Sequence, residues 1–418
     1  MSVQFVRDFA IKCLKRANES VLLSVLTQLV SLLQYEKTQD SVLAVFLLER
    51  AWNSIRITFH LHAALITAAD HTAAPIFYVM QDLLEWSSGA ALKGELTKTQ
   101  KILNIINFNA LRIKDDRSNY LQHFESLWNS IAELSPFRLA EFPTVEFVNI
   151  VISKSKPFSS FTAPLLLTLE AKNGERYSSI YKNGDDLRQD QLVTSLFHMM
   201  ENFWLSQGLD LRMLGYTVYP TAKNCGFIEI VQNSVTLRYK TFALARFKRY
   251  FRQVQVGNNQ KERCLHDWLA GQRNNKFELI DNFSRSCAAY SVATYILGLG
   301  DRHNDNIMIT RRGHMFHIDF NKAFGHYQKI GGVINRDRAP FVLSDDMVLV
   351  INHGATMETG RKFPAFVQQC AEAYNIARHH WREIISMIMV SAPMNMTALK
   401  EGGNEVQVVF ENLSPTIG

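Results

Sequence analysis

Apolar residues recur at helical spacing from the start of the chain. Leu22, Leu23, Leu26, Leu29, Val30 and Leu33 form one series; Val45, Leu48, Trp52 and Ile55 form the next. Residues three and four apart share a helix face, so about the first 60 residues read as helices with short connections. Paired helices of this kind suggest the end of a helical solenoid, although so few units do not establish a repeat. The uncharged stretch from Ser20 to Tyr35 is dotted with Ser, Thr and Gln. A membrane-spanning helix needs about 20 mainly apolar residues, so this one reads as a buried amphipathic helix. Residues 70–145 also read as helical, from Ile76 to Trp86 and from Tyr120 to Leu134, with Pro143 ending the region.

The period changes near residue 148. Val148, Ile150 and Ile152 alternate as in a strand. Leu165–Leu169 and Arg176–Lys182 flank Asn173-Gly174, the strongest short hairpin signal. A two-residue turn there places Lys182 opposite Leu165, beside the loop from Lys154 to Ser160. Asp186 with Gln189 reads as a capping box opening a helix through Leu192, Leu196 and Phe203. A strand pair follows at Tyr216–Tyr219 and Phe227–Val231. Beyond about residue 260 the pattern is helical again, broken by a hairpin turning at Arg312-Gly313 that sets Asn306 opposite Asp319.

Composition narrows the class. The chain has 418 residues, 47% hydrophobic and 20% charged, with only 10 Pro and 20 Gly. That is globular, neither collagen-like nor disordered. The five cysteines, Cys13, Cys225, Cys264, Cys287 and Cys370, have no metal-binding or redox spacing. Arg7, Asp8 and Lys12 interrupt any signal peptide, so the expectation is a soluble, intracellular protein. A net charge of +6 suits a protein that visits an anionic surface. No basic run is interleaved with aromatics, so nothing points to nucleic acid.

Three constellations carry candidate chemistry. The sharpest is Gly300-Asp301-Arg302-His303-Asn304-Asp305-Asn306, followed across the hairpin by His317-Ile318-Asp319-Phe320. An amide oxygen and a carboxylate at one hairpin end, completed by phosphates and water, are how Mg²⁺ is usually held. Asp301 and Asn306 also keep the Asp-x-x-x-x-Asn interval of a kinase catalytic loop, with Asp-Arg-His in place of His-Arg-Asp. The second is Lys182 with Asp185 and Asp190: a strand-end lysine can neutralise nucleotide phosphates, and a carboxylate can hold it. The loop Lys154-Ser155-Lys156-Pro157-Phe158-Ser159-Ser160 could cover phosphates through backbone N–H groups and hydroxyls. The third is a basic stretch with Lys322, His326, Lys329, Arg336 and Arg338, able to grip an anionic headgroup. His60 with His62, and His379 with His380, lack zinc-type partners and read as packed or solvated. Met387, Met389, Met394 and Met396 read as core or a soft contact surface.

Together, Lys182–Asp190, Gly300–Asn306 and His317–Phe320 resemble the phosphoinositide 3-kinase family in spacing and order. The resemblance implies an α+β, bilobal, protein-kinase-like phosphoinositide kinase fold preceded by an α-helical, solenoid-type segment. Residues 1–65 would end the helical accessory domain, 66–231 would form the smaller lobe with leading helices, and 232–418 the larger lobe. It further implies transfer of the ATP γ-phosphoryl group to the 3-hydroxyl of an inositol phospholipid at a membrane surface, with ATP and Mg²⁺ as cofactors. Location would be cytoplasmic, peripheral on endomembranes or the plasma membrane, with room for a regulatory protein partner.

Carried over residue by residue, Lys182 would contact the ATP phosphates, oriented by Asp185 and Asp190, with Ser160 in the phosphate loop. Tyr216 would line the inner pocket, the backbone of Glu229 and Val231 would meet adenine, and Met308 and Ile318 would pack on the base. Asn306 and Asp319 would hold Mg²⁺. His303 would be the general base, with Asp301 as competitor or orienter and Arg302 bracing the loop. Lys329, Arg336 and Arg338 would meet the headgroup. The single Lys in Gly325–Gly332 supplies little charge for a 5-phosphate, and Arg336–Phe341 looks like class II. Phosphatidylinositol and its 4-phosphate are therefore the expected substrates.

Three features depart from the family pattern. Asn321 replaces a Gly after Phe320, and its tolerance of left-handed backbone would let the loop form. Asn335 stands where many relatives have Lys. The sequence stops at Gly418, where relatives continue with a membrane-meeting helix, and lacks their Ras-binding and C2 regions, so the expectation is either a fragment or membrane attachment through a partner. Asn321 and the missing helix leave a nucleotide-binding scaffold impaired in turnover as one rival. The shared Asp-Arg-His and His-Ile-Asp-Phe leave a related protein kinase, and the shared lipid a phosphoinositide 4-kinase, as others.

Overall fold

The computed structural model describes residues 3–38, 40–160, 162–238, 264–272, 275–327, 329–330, 334–335, 339–357, 360–399 and 404–414. The chain forms two compact units. The first comprises Met1–Gln191, Thr217–Ile230 and Val390–Thr397; the second comprises Leu192–Tyr216, Val231–Met389 and Ala398–Gly418.

The first unit opens with helices α1 (Val3–Leu14), α2 (Glu19–Leu32), α3 (Val42–Trp52), α4 (Ile55–Thr72) and α5 (Pro75–Ser87). Asn18, Ser41 and Ser54 cap α2, α3 and α4 by accepting from backbone N–H groups in the first turn. Of the periodic residues, Leu22, Leu26, Val30, Leu33 and Leu48 meet Phe46, Leu61, Leu65 and Phe77 in one core, whereas Val45, Trp52 and Ile55 are exposed. Each side chain of that core contributes about 1.5–3 kcal/mol on burial.

Helices α6 (Gly89–Asp115) and α7 (Tyr120–Ile131) follow, then β1 (Phe137–Leu139) and β2 (Phe142–Ile150). The helical region therefore stops before residue 137, and Pro143 lies inside a strand rather than at a helix end. β2 also begins earlier than the alternation at Val148 suggests; its buried positions include Phe147 and Ile150. The sheet continues with β3 (Lys156–Pro157), β4 (Leu165–Ala171) and β5 (Arg176–Asn183). Helix α8 (Leu187–Ser206) starts in this unit, and β6 (Val218–Ala222) and β7 (Cys225–Glu229) complete the sheet. The antiparallel order is β1-β2-β4-β5-β7-β6, with β3 on β4. One sheet face is covered by α6 and α7 through Ile102, Ile106, Phe124, Phe147 and Leu167.

The second unit holds β8 (Ser234–Thr236), α9 (Cys264–Ala270) and α10 (Lys276–Ile296). Then come β9 (Ile307–Thr310), β10 (Met315–His317), β11 (Lys329–Ile330) and β12 (Ile334–Asn335). Helices α11 (Asp345–Ile351), α12 (Phe363–His379), α13 (Trp381–Ser391) and α14 (Asn404–Leu413) close the chain. No helix among the described residues is long and apolar enough to cross a membrane. Met387, Met394 and Met396 are buried and Met389 is exposed. His62 is buried against Glu85 at 3.1 Å, and His380 stacks on Phe203.

Both hairpin registers differ from the two-residue-turn expectation by one residue. Leu165 pairs with Tyr181, not Lys182, and Ile307 pairs with His317. The cause is the same in each. Ala171 N donates to Glu175 O and Gly174 N to Ala171 O, enclosing Lys172-Asn173-Gly174. Thr310 N donates to His314 O and Gly313 N to Thr310 O, enclosing Arg311-Arg312-Gly313. Each is a three-residue loop whose last residue is a left-handed Gly, φ 82° at Gly174 and 90° at Gly313. The expected strand pair after α8 shifts too, so Tyr216 precedes β6 and Val231 follows β7.

The two glycines make a controlled comparison. A Cβ at Gly174 meets nothing within 4 Å, whereas one at Gly313 would lie 2.2 Å from Leu279 O. Gly174→Ala should cost only the left-handed penalty, about 1–2 kcal/mol. Gly313→Ala should lower the thermal midpoint clearly more, because backbone must move as well. Equal shifts in a melting experiment would contradict the crowding at Leu279.

Glu141, between β1 and β2, is 7% exposed. Burial pushes its pKa from 4.5 up to about 8; the Ser179 hydroxyl opposes this and the Glu229 charge adds to it. A raised acid pKa means folding is unopposed below about 4.5 and loses stability as pH rises toward about 8. Glu141→Gln should therefore stabilise the protein by an amount that grows over that window, read as melting temperature against pH. A pH-independent difference would show that Glu141 ionises as readily folded as unfolded.

Candidate active site

In the first unit, the candidate residues gather where β5 turns into α8. Lys182, 7% exposed, is paired across the sheet with Gly226. A buried ammonium needs an oxygen partner, and Asp185 Oδ2 stands 2.8 Å from Lys182 Nζ. Asp190 is buried in the first turn of α8. Lys182 and Asp185 are thus paired, with Asp190 in the first turn of the helix that follows them. The cap on α8 differs in detail from a capping box: Asp186 Oδ1 accepts from Arg188 N at 3.2 Å.

Ser160 lies exposed between β3 and β4, its carbonyl accepting from Ala163 N. Ser155 is a structural hydroxyl: it is buried, donates to Val151 O and accepts from Thr168 N. Within the suggested loop, the hydroxyls left exposed for a phosphate are those of Ser159 and Ser160. Glu229 N donates to Thr217 O at 2.9 Å, while its carboxylate accepts from Thr217 N. The Glu229 N–H is therefore spent, and its carbonyl is what a base could use.

In the second unit, Arg302 organises the catalytic-type loop. It is 6% exposed and its guanidinium lies over the Phe320 ring. Nε donates to Gly300 O at 2.8 Å, Nη1 to Ile318 O at 2.8 Å, and Nη2 to Asp319 O. Residue 300 is thereby tied to residues 318 and 319. Asn306 N donates to His303 O, Ile318 N donates to Asn306 O, and Asn306 Nδ2 donates to Asp301 O. With its nitrogen spent, the Asn306 side chain offers an amide oxygen. Asn306 faces Ile318, so Asp319 is one residue past the expected partner, yet Arg302 holds it at the same hairpin end.

Asp301 and Asp319 are both left-handed, φ 57° and 60°. Asn321 is not: the left-handed residue of the second motif is Asp319. Asn321 Nδ2 instead donates to Asp319 Oδ1 at 2.8 Å. His303 Nδ1 accepts from Asp305 N at 3.2 Å, and its Nε2 is 3.9 Å from Asp301 Oδ2. In that geometry the neutral ring carries its proton on Nε2. Met308 is half-buried on β9 and Ile318 follows β10. Tyr216 is buried and its ring meets Phe316 edge-on. Val231 O accepts from Ser234 Oγ at 2.7 Å. Lys329 is in β11, paired with Asn335; Arg336 and Arg338 lie outside the described residues.

Among the described residues, no three or more His, Cys, Asp or Glu side chains converge as a metal cage. Asn306 and Asp319 form instead a two-donor set of hard oxygens. That set fits Mg²⁺ shared with nucleotide phosphates, and the Lys182–Asp185 pair fits the phosphates themselves. Sequence reasoning missed two buried groups. His317 is fully buried, stacks on Tyr290 and is pushed well below the usual histidine range by that burial, so it is a neutral core residue. Arg188 was visible only as a letter within the Lys182–Asp190 motif; its environment carries the further inference below.

The comparisons with known proteins agree with this geometry. Residues 176–401 match the model for phosphatidylinositol 3- and 4-kinase. Residues 1–129 match the accessory (PIK) domain of the phosphoinositide 3-kinase family. The chain belongs to the phosphatidylinositol 3- and 4-kinase family. It is 34% identical over 425 residues to the human phosphatidylinositol 3-kinase C2 domain-containing subunit gamma, covering 99% of this chain and 28% of that protein. It is 33% identical over 429 residues to the human phosphatidylinositol 4-phosphate 3-kinase C2 domain-containing subunit beta, covering 99% and 25%. It is 35% identical over 400 residues to Dictyostelium discoideum phosphatidylinositol 3-kinase 1, covering 92% and 24%. The C2 domain-containing names agree with the class II likeness. The chain spans roughly a quarter of the length of these relatives.

A cation held by Asp319 would have to share Oδ1 with the Asn321 amide that already donates to it. Asn321→Gly should lower the Mg²⁺ concentration needed for half-maximal binding of a fluorescent ATP analogue. An unchanged or increased Mg²⁺ requirement would mean that the Asn321 contact does not burden the site.

Proposed function

We propose that this chain is the catalytic portion of a lipid kinase that transfers the ATP γ-phosphoryl group to the 3-hydroxyl of phosphatidylinositol or its 4-phosphate. The observation that carries the reading is the hairpin end at which Arg302 fastens Asp319 beside Asn306 and the Asp301–His303 loop. Family membership and the names of the relatives support it.

In this reading Lys182, held by Asp185 and backed by Asp190, meets the nucleotide phosphates with Ser160. The Glu229 carbonyl and Val231 N–H meet adenine, and Tyr216, Met308 and Ile318 line its pocket. Asn306 and Asp319 hold Mg²⁺, which when bound neutralises phosphate charge. Arg302 touches only backbone carbonyls and an aromatic ring among its described contacts, so it positions the loop. His303 can take the inositol proton only after its Nε2 proton is given up or the ring turns, which strengthens Asp301 as the competing base. Most rate enhancement would come from positioning and charge neutralisation. Lys329, Arg336 and Arg338 would face the headgroup at a membrane surface. The accessory helices, the smaller lobe to 231 and the larger lobe to 418 belong to the same reading; the accessory-domain match runs past the expected end at residue 65 to residue 129, and the unit boundary at Ile230 supports the division at 231. The Asn321–Asp319 contact favours the alternative of a nucleotide-binding scaffold with impaired turnover.

Phosphate transfer from Mg²⁺-ATP to vesicles containing phosphatidylinositol, its 4-phosphate or its 4,5-bisphosphate decides between them. The expected result is a 3-phosphorylated product from the first two lipids, absent in Asp319→Ala and strongly reduced in His303→Ala. Nucleotide binding with no product on any lipid would favour the scaffold; a 4-phosphorylated product would make this a 4-kinase.

A further inference from the structure

Asp186 stands between Asp185, the partner of Lys182, and the body of α8. Its carboxylate is gripped by Arg188, with Nε to Oδ1 at 2.8 Å and Nη2 to Oδ2 at 2.6 Å. Arg188 is 3% exposed. Its Nη1 donates to Met394 O at 2.7 Å, and Nη2 also meets His71 Nδ1 at 2.9 Å. Those contacts use four of the five guanidinium N–H groups.

His71 ends α4, in the part of the chain that matches the accessory domain. A guanidinium can only donate, so His71 Nδ1 accepts and the neutral ring carries its proton on Nε2. That Nε2 is buried with no partner. Burial, then the Arg188 charge, hold the ring below the usual histidine range; Asp186, Lys223 and Asp70 are the other charged groups around it. The neighbouring Asp70 accepts from Lys223 N in the β6–β7 turn, so α4 ends on two kinase loops at once.

We propose that His71 is a positioning residue for the nucleotide-phosphate corner: it orients the Arg188 guanidinium that clamps Asp186, and so fixes Asp185 on Lys182. The inference rests on Lys182 meeting ATP phosphates. It assigns the accessory helices a part in nucleotide affinity rather than in folding alone. An acceptor is what the position requires. Alanine leaves a buried guanidinium N–H unmet. Asparagine supplies an oxygen near the Nδ1 position and does not titrate. Protonating His71 would set N–H against N–H, so the contact weakens as pH falls below the unfolded value of 6.5.

The test compares wild type, His71→Ala and His71→Asn by binding of a fluorescent ATP analogue and by KM for ATP and for lipid. Losing one hydrogen bond to a charged group, partly transmitted, should weaken nucleotide affinity about threefold to tenfold in His71→Ala. The lipid KM should stay unchanged, and His71→Asn should restore affinity. As pH falls from about 7.5 to well below the usual histidine value of 6.5, wild type should lose more affinity than His71→Asn, with the gap opening below 6.5 because burial holds the ring's pKa down. Should His71→Ala not fold, the pH comparison with His71→Asn decides. Superimposable pH profiles, or wild-type affinity in a folded His71→Ala, overturn the proposal, as does a wild type that binds no nucleotide. Analogue binding needs no turnover. A wild type that binds nucleotide and transfers nothing, with His71→Ala weakened and His71→Asn restored, overturns the kinase reading and supports the positioning role.

Discussion

A guanidinium taken out of water must find oxygen along its edges, and that demand shapes both halves of the chemistry. An uncompensated buried charge costs several kcal/mol, so the chain around each buried arginine folds to supply acceptors. Arg302 recruits three carbonyls, those of Gly300, Ile318 and Asp319. Arg188 recruits a carboxylate, a carbonyl and an imidazole. In each case a segment far away in sequence is brought to a chemically loaded loop. Both guanidinium groups are engaged by the protein's own acceptors: Arg302 holds the backbone of Asp319, and Arg188 holds the carboxylate of Asp186, next to Asp185 in sequence.

How much of this was legible in the sequence depends on whether the signal was local. The helices through Leu26 and Leu48 followed from spacing, because one-sided burial leaves a 3.6-residue trace. The long helix α6 was harder to read as a unit: Thr99 and Asn109 occupy buried positions on it, and Thr99 bonds Arg138 O on β1. Pro143 was misleading because proline tolerates a position early in a strand as well as the end of a helix. The hairpins were visible and their registers were not. Asn-Gly and Arg-Gly each fit a two-residue turn or the last two positions of a three-residue loop, and only the backbone bonds to Ala171 and Thr310 separate them.

The site motifs were legible as a set because spacing survives a one-residue slip at a hairpin end. Their internal logic was not. Nothing local marks Arg188 as the residue that reaches His71, 117 positions away, and nothing local shows that a histidine two positions before Asp319 would be a neutral core ring. Asn321 shows the same limit. Its type suggested a residue tolerant of left-handed backbone, whereas its side chain is used and its neighbour Asp319 takes the unusual conformation.

That conformation connects the fold to the proposed chemistry. A left-handed aspartate costs about 1 kcal/mol or more over an ordinary one, and such strain persists only where surroundings over-determine it. Asp301 and Asp319 both carry it, and Arg302 or Asn306 bonds a carbonyl at each: Asn306 Nδ2 on Asp301 O, Arg302 on Asp319 O. The same contacts that stabilise the strained backbone therefore fix the two carboxylates relative to the Asn306 amide. A relaxed loop would let each carboxylate seek water, and two donors from one hairpin would then be too few to hold a cation that also demands waters and phosphates. Strain placed at these positions is how a site with so few side-chain ligands can still present them together.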